Sequence, residues 1–242
     1  MRVTIPGVVG AGDLRFVYLN LRDHPRGQLM LQRLIGAGFV PWLVIDEDSP
    51  LAAAGRAGQL AELEQVAGFA PLPETAKVCA EQGIAYETVS NHNDPRVVEL
   101  LTGSQLAILG DTRVLKPNII DAVPRGIINV HPGFLPDVRG NNPYIWSVIH
   151  NLPQGVTVHL INTGVDTGPV LIARKISPAP GTTLAELVHL LNGLCADALV
   201  EALHQVVAGQ AVATPQSADE RLTFREARPE IRALARKMLL ER

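Results

Sequence analysis

Residues 128–136 read INVHPGFLP, an apolar run that ends in an asparagine and a histidine two positions apart, then meets Pro-Gly and a second proline. Successive side chains of a strand point to opposite faces, so Asn129 and His131 share one face. Pro132-Gly133 stops the strand. An amide and an imidazole are thereby set side by side at a strand terminus, where open α/β sheets hold their ligands. A second segment, NTGVDTGP at 162–169, puts Asp166 in a glycine-flanked loop 35 positions after His131. Glycine lets main chain come close to a ligand, and a carboxylate near an imidazole favours the protonated ring.

Groups of this kind need a scaffold of strands. RFVYLNL (15–21) has the length and the β-branched and aromatic content of a buried strand. Residues 26–38 place Leu29, Leu31, Leu34 and Ile35 at near-helical spacing and stop at Gly36 and Gly38. A second strand is expected at 39–45 and a helix at 51–68. Helices at 74–82, 95–102 and 117–122 then each lead to a strand, at 86–90, 105–110 and 126–131. Strands alternating with helices imply an α/β fold with a doubly wound, mostly parallel, Rossmann-like sheet. The runs 155–162 and 169–176 are separated by six residues, too few for a helical crossover, so two antiparallel strands are expected at one edge. A long helix covers 183–208 with an apolar face of leucines. The polar stretch 213–220 resembles a linker. The helix 229–242 carries a narrow stripe of Ile231, Leu234, Met238 and Leu239, which would pack on the body or on the partner of a homodimer. The expected division is a catalytic domain over 1–212, followed by a linker and C-terminal helix over 213–242.

Composition narrows the class. A chain of 242 residues with 47% hydrophobic content fills a sizeable core. The net charge of -3 lacks the basic excess that a nucleic-acid or anionic-membrane partner demands, which leaves a small molecule as the expected ligand. Cys79 and Cys195 show neither disulfide-framework nor zinc spacing. The N-terminal segment, with Pro6, three glycines and Asp13, makes a poor signal-peptide core. No apolar run approaches the roughly 20 residues that span a bilayer. A cytoplasmic protein is expected.

Competing motifs are weaker. GVVGAG (7–12) precedes the first clear strand instead of following one, so it reads as a turn or an N-terminal segment, not a dinucleotide fingerprint. There is no phosphate loop, no HExxH and no GxSxG. His24, His92 and His204 read as surface residues, His189 and His150 as core or cap, and His159 as a satisfied strand histidine. His131 alone stands at a strand end beside an amide and before a proline-fixed loop.

Asn129-x-His131, the following FLPDVRG and Asp166 within GVDTGP resemble the signature of the formyltransferase catalytic domain that uses N10-formyltetrahydrofolate. The resemblance runs from about Leu115 to Ile176. It implies formyl transfer through a tetrahedral intermediate, with Asn129 on the formyl oxygen, His131 stabilising the oxyanion and handling protons, and Asp166 charging or orienting the histidine. No metal is implied. It also implies a pterin slot at the strand end near 110–115 and the loop 163–166, with Leu115, Val130, Thr163, Gly164 and Val165 as cofactor-binding positions.

Departures sort the members of that family. Glycinamide ribonucleotide enzymes carry a glycine-rich phosphate loop where this chain has NLRDHPRGQ. Methionyl-tRNA enzymes append a large C-terminal domain, and the formyltetrahydrofolate hydrolases add an N-terminal domain and a second histidine where Pro132 stands. The outline is most similar to sugar-nucleotide or other small-molecule N-formyltransferases acting on a primary amine. Tyr144 and Trp146, beside the catalytic loop, either border the acceptor or pack. A hydrolase, and a non-catalytic folate- or nucleotide-binding module, are the alternatives.

Overall fold

The computed structural model describes residues 3–4, 7, 13–217 and 223–241. In chain order the first half comprises β1 (Val3–Thr4), β2 (Phe16–Leu21), α1 (Pro25–Gly36), β3 (Leu43–Glu47), α2 (Pro50–Leu63), α3 (Thr75–Gln82), β4 (Ala85–Val89), α4 (Pro95–Leu100) and β5 (Leu106–Asp111). The second half comprises α5 (Pro117–Ile120), β6 (Ile127–His131), β7 (Arg139–Gly140), α6 (Pro143–Ile149), β8 (Gln154–Leu160), β9 (Val170–Ile176) and α7 (Leu184–Val207). It closes with β10 (Val212–Ala213), β11 (Thr223–Phe224) and α8 (Pro229–Leu240). The GVVGAG segment, apart from Gly7, lies outside the described residues.

Seven strands form the main sheet in the order β4-β3-β2-β5-β6-β8-β9. The first five are parallel, and β8 and β9 are added antiparallel, as the short connection demands. Chain direction reverses its march across the sheet between β2 and β5, which puts a topological switch point, and hence a ligand crevice, at their carboxyl ends.

Each face of the sheet buries its own core. Ile128 and Val130 of β6 and Val156 and Val158 of β8 join Tyr18, Val44 and Ile108 under α7. That helix presents Leu187, Leu191, Cys195, Leu199 and Leu203, all fully or almost fully buried, and each such leucine stabilises the fold by about 1.5–3 kcal/mol. Val17, Leu19, Ile45, Leu109 and Ile127 form the opposite core. At 24 residues α7 is, by length and composition, long and apolar enough to cross a bilayer, contrary to the sequence expectation. Its apolar positions are instead packed against α1 and β8, which accounts for them.

The second strand starts at Leu43, four residues later than the apolar run suggested. Pro41 has no N–H for the ladder, and pairing opens where the Trp42 N–H donates to the Phe16 carbonyl at 3.1 Å. Phe39 fills the core as a loop residue with its ring edge-on to His204. Beyond the sheet, β1 pairs with β10 and β7 pairs in parallel with β11. The stripe on α8 divides: Leu239 is buried, Ile231 and Met238 are half-buried and Leu234 is exposed, while the helix packs on α6 and α7.

Candidate active site

On β6 the face that begins with Ile127 continues as Asn129 and His131. Antiparallel pairing sets His159 opposite Asn129 and Thr157 opposite His131. Directly opposed residues share a face, so four polar side chains form a patch where the sheet would otherwise present apolar ones. Loops cover that patch. Thr157, fully buried, accepts from the Leu135 N–H at 3.0 Å and donates to the Gly133 carbonyl at 2.8 Å, fixing the loop that follows β6. Gly133 is required by space, because a Cβ there would lie 2.6 Å from the His131 Nε2 and from the Pro143 side chain.

The loop after β8 brings Asp166 back over the same patch. Its Oδ2 lies 3.5 Å from His131 Nδ1, and its Oδ1 lies 3.6 Å from His159 Nε2. The Gly140 N–H donates to Oδ2 at 2.8 Å. His131 Nε2 is 2.9 Å from the Val138 carbonyl, which can only accept, so Nε2 carries a proton. By the same reasoning His159 Nδ1 donates to the Leu160 carbonyl at 3.0 Å, which leaves Nε2 to accept from the Asn129 amide at 3.1 Å. Asn129 is thereby oriented with its NH2 toward the cluster, and it is the half-exposed member while His131 and His159 are buried.

Burial alone would raise the Asp166 pKa; the His131 and His159 rings, through the positive charge each carries when protonated, and the Gly140 N–H outweigh it and hold the carboxyl well below the usual range. For His131 burial is the largest influence and lowers the pKa, reinforced by His159 and Arg26 and opposed by Asp166. At neutral pH the pair is best described as a carboxylate beside an imidazole with Nδ1 free to take a proton. That proton would convert a 3.5 Å approach of lone pair to carboxylate into an ion pair.

The structure therefore brings Asn129, His131 and Asp166 together and adds His159, which the sequence reading left as a strand histidine. Three other histidine assignments are corrected. His24 is buried with Nδ1 3.3 Å from Asp111, which Arg26 also contacts at 2.6 Å, at the switch point between β2 and β5. His92, fully buried, stands beside Glu47. Both follow strand ends, so neighbouring loops enclose them despite their polar sequence surroundings. His189, expected in the core or at a cap, is exposed, one helical step off the buried stripe.

Of the expected cofactor positions, Thr163, Gly164 and Val165 are exposed on the Asp166 loop, whereas Leu115 and Val130 are buried and offer only main chain. The segment 112–116 is held rigidly. Arg113 donates to both oxygens of Glu47, through Nε at 2.7 Å and through its terminal nitrogen. Asn93 accepts from the Lys116 N–H at 2.7 Å and donates to the Val114 carbonyl at 3.0 Å. The Val114 side chain is left 68% exposed, an apolar surface on a fixed loop beside the strand ends. Among the described residues no group of three or more histidine, cysteine or acidic side chains is arranged to hold a metal.

Residues 74–203, just over half of the chain, match the formyl transferase family. A methionyl-tRNA formyltransferase of Chlorobium chlorochromatii is 26% identical over 207 residues, covering 84% of this chain and 62% of that protein. One from Solibacter usitatus is 38% identical over 130 residues, covering 52% and 41% respectively. The chain spans about half the length of the curated relatives it matches. Among solved structures, an N-formyltransferase from Helicobacter canadensis, in complex with folinic acid and dTDP-3-aminofucose, superposes with a TM-score of 0.64 at 12% identity. That superposition covers 94% of this chain and 80% of that one, and at such identity it establishes likeness of fold.

Proposed function

The chain belongs to the formyl transferase family, and from that premise we propose that it transfers a formyl group from N10-formyltetrahydrofolate to a primary amine of a small molecule. The observation that carries this reading is the convergence of Asn129, His131, His159 and Asp166 on one patch at the end of β6. The folate supplies the formyl group. Val114, Val165 and the main chain of 112–115 and 163–165 would hold its ring, since exposed apolar side chains on a clamped loop beside main-chain groups suit a flat heterocycle with polar edges.

The chain's own groups divide the work. Asn129 uses one amide hydrogen on His159 Nε2 and keeps the other for the formyl oxygen, where it would stabilise the negative charge that develops on attack. His131 Nδ1 takes the proton released as the amine nitrogen bonds to the formyl carbon. Asp166 holds the resulting imidazolium beside the departing nitrogen, to which the proton is delivered. Net, one proton leaves the amine and one arrives at the nitrogen that loses the formyl group.

For the acceptor we favour an amino sugar nucleotide. At the switch point Arg26 and His24, both on Asp111, would supply cationic and neutral donors to a phosphorylated small molecule. The structural neighbour named above was captured with a sugar of that class. The curated relatives' own acceptor, methionyl-tRNA, is the second reading. Following tetrahydrofolate release with amino sugar nucleotides and with methionyl-tRNA, using His131→Ala as control, tests both. Turnover that depends on one amine and is lost in the variant supports transfer; formate release without any amine overturns it in favour of hydrolysis.

A further inference from the structure

We infer that Gln216, in the stretch whose composition reads as a linker, is a positioning residue for Asp166; this rests on the formyl-transfer reading above. Gln216 spends both polar atoms of its side chain on the site. Its amide nitrogen donates to the main-chain carbonyls of Asp166 at 2.8 Å and Gly168 at 2.7 Å, and its Oε1 accepts from Arg139 at 2.9 Å and 3.3 Å. Arg139 is buried, and the next residue's N–H, that of Gly140, grips the Asp166 carboxylate. The contacts close a ring: Gln216 to Arg139, along the chain to Gly140, across to Asp166, and back to Gln216.

The ring also fixes the Asp166 main chain. Its φ is 53°, in the left-handed region that residues other than glycine adopt uncommonly, aspartate and asparagine more readily than most. Two further ties hold the ring to the body. Two residues before Gln216, Thr214 exchanges two main-chain hydrogen bonds of 2.8 Å with Val170 at the start of β9. At the far side β11 pairs with β7, so closely that a Cβ on Gly140, whose φ is 92°, would overlap the Phe224 carbonyl oxygen. The C-terminal stretch thus straps the two loops that set Asp166 against His131.

Two substitutions test the role. Gln216→Leu removes all the bonds at similar volume, and Gln216→Glu keeps an acceptor for Arg139 but none of the donors to 166 and 168. Both should lower kcat by about 10–100-fold, the loss expected of a catalytic group displaced by about 1 Å, with the folate KM changed less than about threefold. The readout that a merely structural role would not move is the NMR titration of the His131 ring. That ring faces Asp166 from its loop, His159 from β8 and Arg26 from α1. Its midpoint should fall in both variants, in the direction produced by Asp166→Asn, because the opposing charge recedes. A folded Gln216→Leu with unchanged kcat and unchanged His131 midpoint overturns the proposal. So does a Gln216→Glu that matches the parent in both. If no amine supports turnover in the parent but the midpoint still falls, the positioning role stands and the formyl-transfer reading fails.

Discussion

Glu47→Gln isolates the charge that clamps the expected folate loop. Glu47 is fully buried at the carboxyl end of β3 and accepts from Arg113, from the Ser49 hydroxyl at 2.6 Å and from the His92 N–H at 2.9 Å. Burial pushes its carboxyl upward, but Arg113, Ser49 and His92 together bring it from 4.5 down to about 2. A depression of that size corresponds to roughly 3 kcal/mol of stability. The Arg113 side chain is 27% exposed, so solvent screening reduces the expectation to about 2–3 kcal/mol. Because the folded pKa is the lower one, this contribution is complete above about pH 5 and disappears as the pH falls from 4.5 toward 2. Urea unfolding of parent and variant should therefore differ by about 2–3 kcal/mol at pH 7 and by less than half of that at pH 3. Comparing the two proteins at each pH cancels the titration of every other group. A gap below about 0.5 kcal/mol at pH 7, or one that persists unchanged at pH 3, would refute the view that a buried ion pair fixes residues 112–116.

Asp166→Asn should lower kcat by about 10²–10⁴-fold and move the His131 titration to lower pH, since the charge that opposes desolvation is gone; steady-state rates against pH and ring NMR check the two effects. Because the Asp166 carboxyl is held low, its stabilising share is present above the ordinary carboxylate range and is lost on acidification, so the parent's advantage over Asp166→Asn in urea melts should shrink below about pH 4. Thr157→Val removes a buried donor and acceptor that serve the Leu135 N–H and the Gly133 carbonyl, and should cost about 2–4 kcal/mol in the same melts. Gly133→Ala places a methyl group against His131 and Pro143 and should cost about 1–3 kcal/mol together with most of the activity, as calorimetry and rate measurements would show.

Much of this arrangement was legible in the chain. Alternation alone placed Asn129 and His131 on one face, and the six-residue gap alone required the antiparallel edge. His159 was within reach of the same logic: pairing 155–162 antiparallel to 126–131 puts VTVHL against INVH, with its polar members facing Asn129 and His131. Neither strand taken singly carries that signal; only their pairing does. Glu47, His92 and Arg113 were beyond reach for another reason, since three strand-end loops separated by 45 and 21 positions meet only once the sheet order is known. Gln216 lay deepest, because a polar stretch without periodicity carries no local signal, and its order comes entirely from tertiary hydrogen bonds.

The direction of the hydrogen bonds at the site limits what it can select. His159 is fixed as an acceptor toward Asn129 by the Leu160 carbonyl, and His131 is fixed as a donor toward Val138. What remains for a ligand at these two side chains is a pair of one donor, the second N–H of Asn129, and one acceptor, the Nδ1 lone pair of His131, with the Asn129 Oδ1 beside them as a further acceptor. A formyl oxygen beside an attacking atom that bears a proton matches this pair, and an amine or a water meets it equally well. On the proposed reading the patch would act at the formyl carbon and leave discrimination among nucleophiles to the switch point, where Arg26, His24 and Asp111 stand. Arg26 reaches His131 electrostatically and lowers its pKa. An anionic acceptor that engages Arg26 would relieve that influence and raise the basicity of His131 as it binds, so a correct acceptor should improve the base that deprotonates it. The His131 titration midpoint should thus rise on saturation with an anionic acceptor, and the rise should be absent in Arg26→Met; a midpoint that does not move on acceptor binding would separate the crevice from the catalytic patch.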